Sequence, residues 1–408
     1  MEKTAFSFTR NAACLFIVLI TLLYLMGGQV IAVKAAGVLS FSAETAPSVS
    51  AETVCLLDLE TGQILYEKNL HQKRPPASLT KVLTTIIAIE EGKLKDIVRI
   101  SPRAVYQEGS SIYLEEGEKI SLEELLYGLM LASGNDAAVA VAEHIAGSVD
   151  EFNELMNKRA REIGAINSNF TNPSGLPAPD HYSTAYDLGL IMNYALKNRV
   201  FAAITATQHK TISWEGYDWG RGLRNHNKLL WLYPDATGGK TGYTRSAGRC
   251  LLASGSRNKR GVVTVLLNAP DDWLDARKLM DYGLDNFKEF KVVEKGEVVC
   301  QFEWEESREG LLKLVAAENA SVVIPRGGKL KVKKEVLIKT ELELPIKKGD
   351  IIGKLNICRE ERVLSSSQLL AGNDLSYNSI FMRFLQWVKE LPKNRKKGIN
   401  DEYIIEVF

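Results

Sequence analysis

The sequence predicts a mixed α/β (α+β) domain, then a small all-β domain and a C-terminal amphipathic helix. Helical and strand-like hydrophobic patterns succeed one another through residues 50–290, whereas residues 291–364 are rich in alternating Val, Lys and Glu. Apolar residues then recur at helical spacing from Ser379 to Leu391. The length of 408 residues accommodates two or three domains of about 150 residues each.

The composition argues against nucleic-acid binding and metal chemistry. The chain has 51 Lys and Arg against 50 Asp and Glu, so no basic excess is available for a nucleic-acid partner. Its five cysteines form no Cys-x-x-Cys pair, and its five histidines form no His-Glu-x-x-His motif. We expect no metal and no other cofactor. The cysteines have apolar neighbours, and we expect free thiols after Cys14 rather than disulfides.

Residues 1–35 are predicted to form a signal peptide. Lys3 and Arg10 precede an uncharged run that ends at Val33, and its most apolar part has the length of a signal-peptide core. Val33 and Ala35 place small residues at −3 and −1 for cleavage near Ala35, so we expect an exported protein. The alternative is an uncleaved anchor, because a run of 23 uncharged residues could just span a hydrocarbon core about 30 Å thick.

The first predicted elements are a hairpin and a helix. The segment Thr53 to Tyr66 contains two short strands around the turn-forming residues Glu60-Thr61-Gly62. A helical pattern follows from Ser78 to Glu91, directly after Pro75-Pro76. Ser78 is therefore expected near the N-terminus of this helix.

The remaining elements of the first domain, residues 50–290, follow the same logic of apolar periodicity and capping residues. The predicted helices and strands are helices Ser121–Leu131, Asn135–Ala146, Val149–Ile163 and Ala185–Lys197, strands Arg249–Ser256 and Gly261–Asn268, and a closing helix Trp273–Phe287.

The last region, residues 365–408, is predicted to comprise a linker, a helix and a tail. Ser365-Ser366-Ser367 has the composition of a linker. The helix from Ser379 to Leu391 has an aromatic-rich apolar face, and four cationic residues follow between Lys393 and Lys397. This combination favours contact with an anionic membrane surface. The alternative is a helix docked on its own domain.

Three short motifs carry the candidate chemistry. They are Ser78-Leu79-Thr80-Lys81, Ser133-Gly134-Asn135 and Lys240-Thr241-Gly242. Each is weak alone, since Ser256-Arg257-Asn258-Lys259 also satisfies Ser-x-x-Lys within a charged turn. The three motifs together, in this order along one chain, make a specific signal for an active site.

The first motif suits nucleophilic acyl transfer. Ser78 and Lys81 are one helical turn apart and share a face, so the Lys81 nitrogen can reach the Ser78 hydroxyl. A neutral Lys81 could take the hydroxyl proton if its pKa falls from about 10.4, and burial or a second cation such as Lys240 would lower it. The alternative is that the motif has no catalytic role, with Ser78 only a serine at a helix terminus and Lys81 a lysine exposed to solvent.

The other two motifs suit proton relay and substrate binding. The Ser133 hydroxyl could relay a proton while the Asn135 amide holds a peptide carbonyl, although Ser-Gly-Asn is also a good helix cap. Lys240 and Thr241 would bind a carboxylate, and the adjacent glycines let the backbone come close to a ligand. The alternative is a glycine-rich loop with an exposed lysine.

Together the three motifs resemble the active-site set of the penicillin-recognising serine enzymes. The stretches Thr171–Leu176, His181–Ala185 and Lys240–Thr244, with Ala247-Gly248, resemble in particular the serine-type D-alanyl-D-alanine carboxypeptidases, the low-molecular-mass penicillin-binding proteins. The resemblance covers about Ser50 to Phe290. The β domain and terminal helix also fit the layout of that family.

The resemblance implies an antiparallel sheet with helices packed around it and a role for each motif residue. Ser78 would be the acylated nucleophile, Lys81 its base, and Ser133 and Asn135 the second active-site element. Lys240 and Thr241 would bind the terminal carboxylate, and the amides of Ser78 and Tyr243 would form the oxyanion hole.

The family's reaction removes the last D-alanine of peptidoglycan stem pentapeptides, and β-lactams acylate the same serine. The resemblance also implies work at the outer face of the cytoplasmic membrane or in the cell wall.

Two rival functions share these motifs. A class A β-lactamase needs a further glutamate to activate the deacylating water. No glutamate lies between Ala165 and Ala178, so we expect a β-lactam adduct to persist. A non-catalytic wall-binding protein would keep the pocket for recognition, but it has no need for Lys81.

Overall fold

The computed structural model describes residues 46–304, 307–328, 330–339, 342–359, 362–377 and 402–407. Its helices are α1 Lys81–Glu91, α2 Pro102–Val105, α3 Leu122–Leu131, α4 Asn135–Ala146, α5 Val149–Ile163, α6 Ala185–Leu196, α7 Arg199–Ala206, α8 Leu229–Leu232 and α9 Asp272–Asn286. The strands of the first domain are β1 Thr53–Asp58, β2 Ile64–Lys68, β3 Ile97–Arg99, β4 Lys119–Ser121, β5 His209–Ile212, β6 Arg221–Arg224, β7 Ala236–Thr244, β8 Gly248–Arg257 and β9 Arg260–Leu267. Those of the second domain are β10 Phe287–Val293, β11 Val298–Glu303, β12 Leu311–Ala316, β13 Ala320–Pro325, β14 Leu330–Ile338, β15 Ile351–Arg359, β16 Arg362–Ala371 and β17 Glu402–Val407.

The first domain is built on an antiparallel sheet of five strands in the order β2-β1-β9-β8-β7. Successive strand residues point to opposite faces. In β1, Cys55 and Leu57 join the larger hydrophobic cluster with helices α1 and α3–α7, whereas Val54 and Leu56 join a second cluster with α9. Helices therefore cover both faces of the sheet, which confirms the predicted α/β class.

Capping residues explain where the predicted helices begin. Ser121 and Glu124 form a reciprocal capping box at the start of α3. Ser148 and Thr184 accept hydrogen bonds from the first turns of α5 and α6. The predicted helix bounds agree with the structure to within one residue except at α1, where a 3-10 turn occupies Ala77–Thr80 before the helix starts at Lys81.

The β domain has its own core. Its main sheet has the strand order β11-β12-β16-β15-β14-β17, and β10 pairs separately with β13. The Gln63 side chain joins this domain to the first, because its amide donates to Val323 O at 2.8 Å while its oxygen accepts from Val323 N at 3.0 Å. Both polar atoms of a buried glutamine are thereby satisfied.

The structure corrects the predicted linker. Ser365, Ser366 and Ser367 lie within β16 and pair with Ile357, Asn356 and Leu355 of β15. The pairing register shifts just before Ser365, and buried residues then alternate with less buried ones from Ser366 to Ala371. The buried Ser367 hydroxyl donates to Glu318 O at 3.1 Å. A run of serines can therefore continue a strand when backbone pairing and the apolar residues that follow hold it in place.

The C-terminal region is only partly described. The predicted amphipathic helix, Ser379 to Leu391, lies outside the described residues, but the backbone of β17 pairs antiparallel with β14. The sequence predicted only a tail in this last segment. In the described ranges no helix has both the length and the apolar character needed to cross a bilayer. Cys55, Cys250 and Cys358 carry free thiols, as predicted.

Candidate active site

Ser78 lies in the 3-10 turn that leads into α1. The preceding residue, Ala77, has a left-handed backbone with φ of 49°. Such a conformation is costly for a residue with a side chain, and strained residues of this kind cluster at active sites. The turn leaves Ser78 half-buried at the rim of the sheet and places Lys81, fully buried, at the first position of the helix.

The Lys81 nitrogen is surrounded by three oxygen atoms. It lies 2.7 Å from Asn135 Oδ1, 2.6 Å from Ser174 O and 3.0 Å from Ser78 Oγ. The first two are carbonyl-type oxygens that can only accept, so they take two N–H groups. In a neutral amine the lone pair then faces Ser78, whose hydroxyl can donate to it. The arrangement suits proton transfer from Ser78 to Lys81.

The electrostatic environment favours that neutral amine. Burial is the main cause that lowers the pKa of Lys81 well below its usual range, and the positive charge of Lys240 lowers it further. The nearby Asp136 carboxylate acts in the opposite direction. Both causes expected from the sequence, burial and a second cation, therefore act on Lys81.

Ser133 and Lys240 form the second polar pair of the cleft. The Lys240 nitrogen donates to Ser133 Oγ at 3.0 Å and to Thr241 O at 2.7 Å. Burial lowers the pKa of Lys240 to about 7. Ser133 has φ of 62° and precedes Gly134, the N-cap residue of α4, so Ser133 is not the helix cap.

Asn135 is oriented by contacts on both sides of its amide. Its Oδ1 accepts from Lys81 and its Nδ2 donates to Glu108 O at 2.5 Å. One N–H of the amide remains for a substrate carbonyl.

The third motif lies on β7, which is an edge strand. The alternative of a glycine-rich loop with an exposed lysine is therefore wrong. A Cβ atom at Gly242 would lie 3.0 Å from the backbone nitrogen of Ser78, tighter than most Cβ contacts in proteins. Glycine therefore lets β7 pass directly beside Ser78. Thr241 and Tyr243 flank it, Thr241 half-buried and Tyr243 67% exposed.

His181 is a site residue for which the sequence predicted no role. Its Nδ1 accepts from Thr171 N at 3.0 Å, so the neutral ring carries its proton on Nε2, which lies 3.0 Å from Thr80 Oγ1. Thr80 in turn donates to Ala77 O at 2.9 Å. Burial is the main cause that lowers the pKa of His181 to about 4, so the ring stays neutral near pH 7. The chain from His181 to Ala77 fixes the strained turn that presents Ser78.

The segment around Ser174 closes the cleft behind Lys81. Gly175 has φ of 85°, and a Cβ there would lie 1.9 Å from Ala77 O. Only glycine fits at this contact. The role of Ser174 could not be predicted from the sequence, because any residue type can supply a backbone carbonyl that accepts from Lys81.

Comparisons with known proteins agree with this geometry. A family profile described as D-alanyl-D-alanine carboxypeptidase, of peptidase family S11, matches residues 40–271. A profile described as the C-terminal domain of penicillin-binding protein 5 matches residues 287–377.

Individual relatives cover most of the chain. D-alanyl-D-alanine carboxypeptidase DacF of Bacillus subtilis is 34% identical over 345 residues, which are 82% of this chain and 88% of that protein. D-alanyl-D-alanine carboxypeptidase DacA of Haemophilus influenzae is 32% identical over 359 residues, 84% of this chain and 90% of that protein.

A solved structure of penicillin-binding protein 5 from Haemophilus influenzae is similar over both domains. It superimposes with a TM-score of 0.69 at 31% identity, covering 81% of this chain and 99% of that one. The resemblance inferred from the motifs is confirmed, and the chain belongs to the family of serine-type D-alanyl-D-alanine carboxypeptidases, the low-molecular-mass penicillin-binding proteins.

Proposed function

We propose that this protein removes the terminal D-alanine of peptidoglycan stem pentapeptides through an acyl-enzyme on Ser78. The observation that carries the proposal is the surroundings of Lys81 Nζ, which lies 3.0 Å from Ser78 Oγ and gives its other hydrogen bonds to two carbonyl oxygens. A buried amine held in this way is a general base for the Ser78 hydroxyl.

In the proposed acylation, Lys81 takes the Ser78 proton as Oγ attacks the carbonyl carbon of the penultimate D-alanine. The oxyanion is stabilised by the backbone N–H groups of Ser78 and Tyr243. The C–N bond then breaks, and the leaving amine of D-alanine receives the proton that Lys81 took from Ser78, relayed through the Ser133 hydroxyl, which hydrogen-bonds Lys240. In the second half the neutral Lys81 takes a proton from water as the water oxygen attacks the ester carbonyl. The bond to Ser78 Oγ then breaks, Lys81 returns this proton to Ser78 Oγ, and the tetrapeptide is released.

The proposed function predicts a defined product. Incubation of the purified protein with a pentapeptide ending in D-Ala-D-Ala should give a product lighter by one alanine residue in mass spectrometry. A β-lactam should leave a persistent adduct on the protein, because residues 165–178 contain no glutamate to activate water. Rapid turnover of the β-lactam would favour the β-lactamase alternative, and binding of the pentapeptide without cleavage would favour the wall-binding alternative.

Lys240 is proposed to hold the terminal carboxylate together with Thr241. The Lys240→Ala variant should lose about 10- to 100-fold in kcat/KM on a substrate with a free terminal carboxylate, because a charge-assisted hydrogen bond is lost. The loss should be several-fold smaller on a neutral ester substrate. Steady-state kinetics on the two substrates make the comparison, and equal losses on both would contradict the carboxylate role.

We also propose that residues 1–35 direct export and that the segment Ser379–Leu391 contacts the membrane surface. The support is the sequence pattern, since aromatic apolar residues adjoin Lys393 to Lys397. Replacing Phe384 and Trp387 with glutamate should release the exported protein from vesicles that contain anionic lipid. A co-sedimentation assay measures this, with Lys389→Glu as a control for charge alone. Retention of the double variant would favour the uncleaved N-terminal anchor.

A further inference from the structure

The hairpin formed by β5 and β6, residues 209–224, exposes an aromatic cluster that the proposed chemistry does not use. Its tip carries Trp214, Tyr217 and Trp219, whose neighbouring ring centroids are 4.6 and 5.3 Å apart. Trp219 is 63% exposed and Tyr217 is 43% exposed. We call residues 209–224 the aromatic hairpin. Contiguous exposed aromatic side chains commonly mark binding surfaces.

The aromatic hairpin is held in place by polar contacts that do not involve Trp219. The Arg221 guanidinium is buried and donates to both carboxylate oxygens of Glu118 at 2.6 Å and to Tyr113 O at 2.9 Å. Ser213 N donates to Glu124 at 2.7 Å. The exposed Trp219 ring therefore lies on a rigid support, and these anchors remain when the ring is removed.

A short run of contacts connects the aromatic hairpin to the candidate active site. Arg221 donates to Tyr113 O, and three residues earlier Ser110 O accepts from Asn135 N at 2.7 Å. Asp136, the neighbour of Asn135, holds the intervening residues through Ile112 N. The support of the hairpin and the second active-site motif therefore share the segment from Ser110 to Tyr113.

The charges around the hairpin indicate a neutral polyhydroxyl partner. Carboxylates lie at the tip of the aromatic hairpin. Glu115 accepts hydrogen bonds from Trp214 Nε1 and Tyr217 OH, and Glu215 and Asp218 alternate with the aromatic residues along the tip. The buried Arg221 is neutralised by Glu118, and the other two cations of the hairpin, Lys210 and Arg224, lie over Tyr127 and Trp231. Anionic lipid would be repelled by the acidic tip. Carboxylates accept hydrogen bonds from sugar hydroxyls, and the negative face of an aromatic ring attracts the C–H groups of a sugar ring.

We propose that the aromatic hairpin binds the glycan strand of peptidoglycan, with Trp219 and Tyr217 stacked against sugar rings. The inference rests on the proposed function for the identity of the polymer. Glycan binding at this surface would make the protein prefer polymeric peptidoglycan over soluble peptide substrates.

The test compares Trp219→Ala with the control variant Tyr194→Ala. Tyr194 is also a partly exposed aromatic residue, but it lies on α6 and its hydroxyl donates to Glu90. Trp219→Ala should reduce D-alanine release from intact peptidoglycan sacculi about threefold to tenfold, as expected for one lost stacking contact. Release from a soluble pentapeptide should be unchanged. The Kd for a tetrasaccharide of N-acetylglucosamine, measured by calorimetry, should rise by the same factor. Tyr194→Ala should change none of these values.

Other outcomes would overturn the inference. Equal losses on sacculi and soluble peptide would assign Trp219 a structural role, and unchanged tetrasaccharide binding would remove the glycan as the partner. Binding of anionic vesicles that depends on Trp219 would replace the glycan with a membrane. If the unaltered protein releases no D-alanine from either substrate, the proposed function fails, and tetrasaccharide binding alone then decides the inference.

Discussion

A Ser78→Ala variant will lose both D-alanine release and covalent labelling by fluorescent penicillin. Release should fall by on the order of 10⁴-fold or more, because no other atom near Lys81 can replace the attacking oxygen. Labelling should vanish altogether, since it requires an ester bond to Ser78 Oγ. The measurements are the rate of D-alanine release from a pentapeptide and the gel fluorescence of the penicillin-treated protein.

The chain supplies a matched control in its second Ser-x-x-Lys match. Ser256 lies in β8, and Lys259 follows in the turn to β9 with φ of 66°. Ser256→Ala should keep full labelling and full activity. Labelling that survives in Ser78→Ala, or that disappears in Ser256→Ala, would contradict the assignment of the nucleophile.

The Lys81→Arg variant should lose about 10²- to 10⁴-fold in the rate of acylation, the usual contribution of a general base. Arginine is also a long basic side chain, but it stays protonated in proteins and has no free lone pair, so it cannot accept the Ser78 proton. Lys259→Arg is the corresponding control at the second match. Stopped-flow acylation by a chromogenic β-lactam measures the rate, and near-normal acylation by Lys81→Arg would exclude Lys81 as the base.

The pH dependence of acylation in the unaltered protein tests the same role. Because Lys81 must be neutral, kcat/KM should fall as the pH drops below the depressed pKa of Lys81. Removing the Lys240 charge in Lys240→Ala should raise the pKa of Lys81 and move this acid limb to higher pH. An acid limb that stays in place would show that the two amines do not interact.

Long helices with a regular apolar period could be predicted from the sequence. Short helices, and strands that form only because they pair with a neighbouring strand, could not. Val149–Ile163 has a capping serine and a clear helical pattern, and the structure has the same bounds. The eight-residue helix Arg199–Ala206 was missed because it is short, although Asn198 caps it. Strand β7 contains three glycines, which disfavour a strand, and its pairing with β8 overrides that preference.

The candidate site could be predicted where its residue types are distinctive. Ser78, Lys81, Ser133, Asn135 and Lys240 form three recognisable motifs, and the structure brings them into one cleft. The contributions of Ser174 and His181 could not be predicted, because one acts through a backbone carbonyl and the other through Thr80 on a separate helical turn. Such contacts depend on tertiary structure rather than on spacing along the chain.

Strand β7 lies at the edge of its sheet, where its backbone can bind an extended substrate. Within the described part of the chain β7 pairs with β8 on one side. On its other side Thr205 Oγ1 bonds both Gly239 N and Gly239 O, so the row of backbone groups available to a ligand begins at Thr241. An extended peptide can add to such a row as a further strand, held by main-chain hydrogen bonds that are indifferent to side-chain identity. Stem peptides that differ in their middle residues should therefore bind in the same alignment, with selectivity imposed at the two ends.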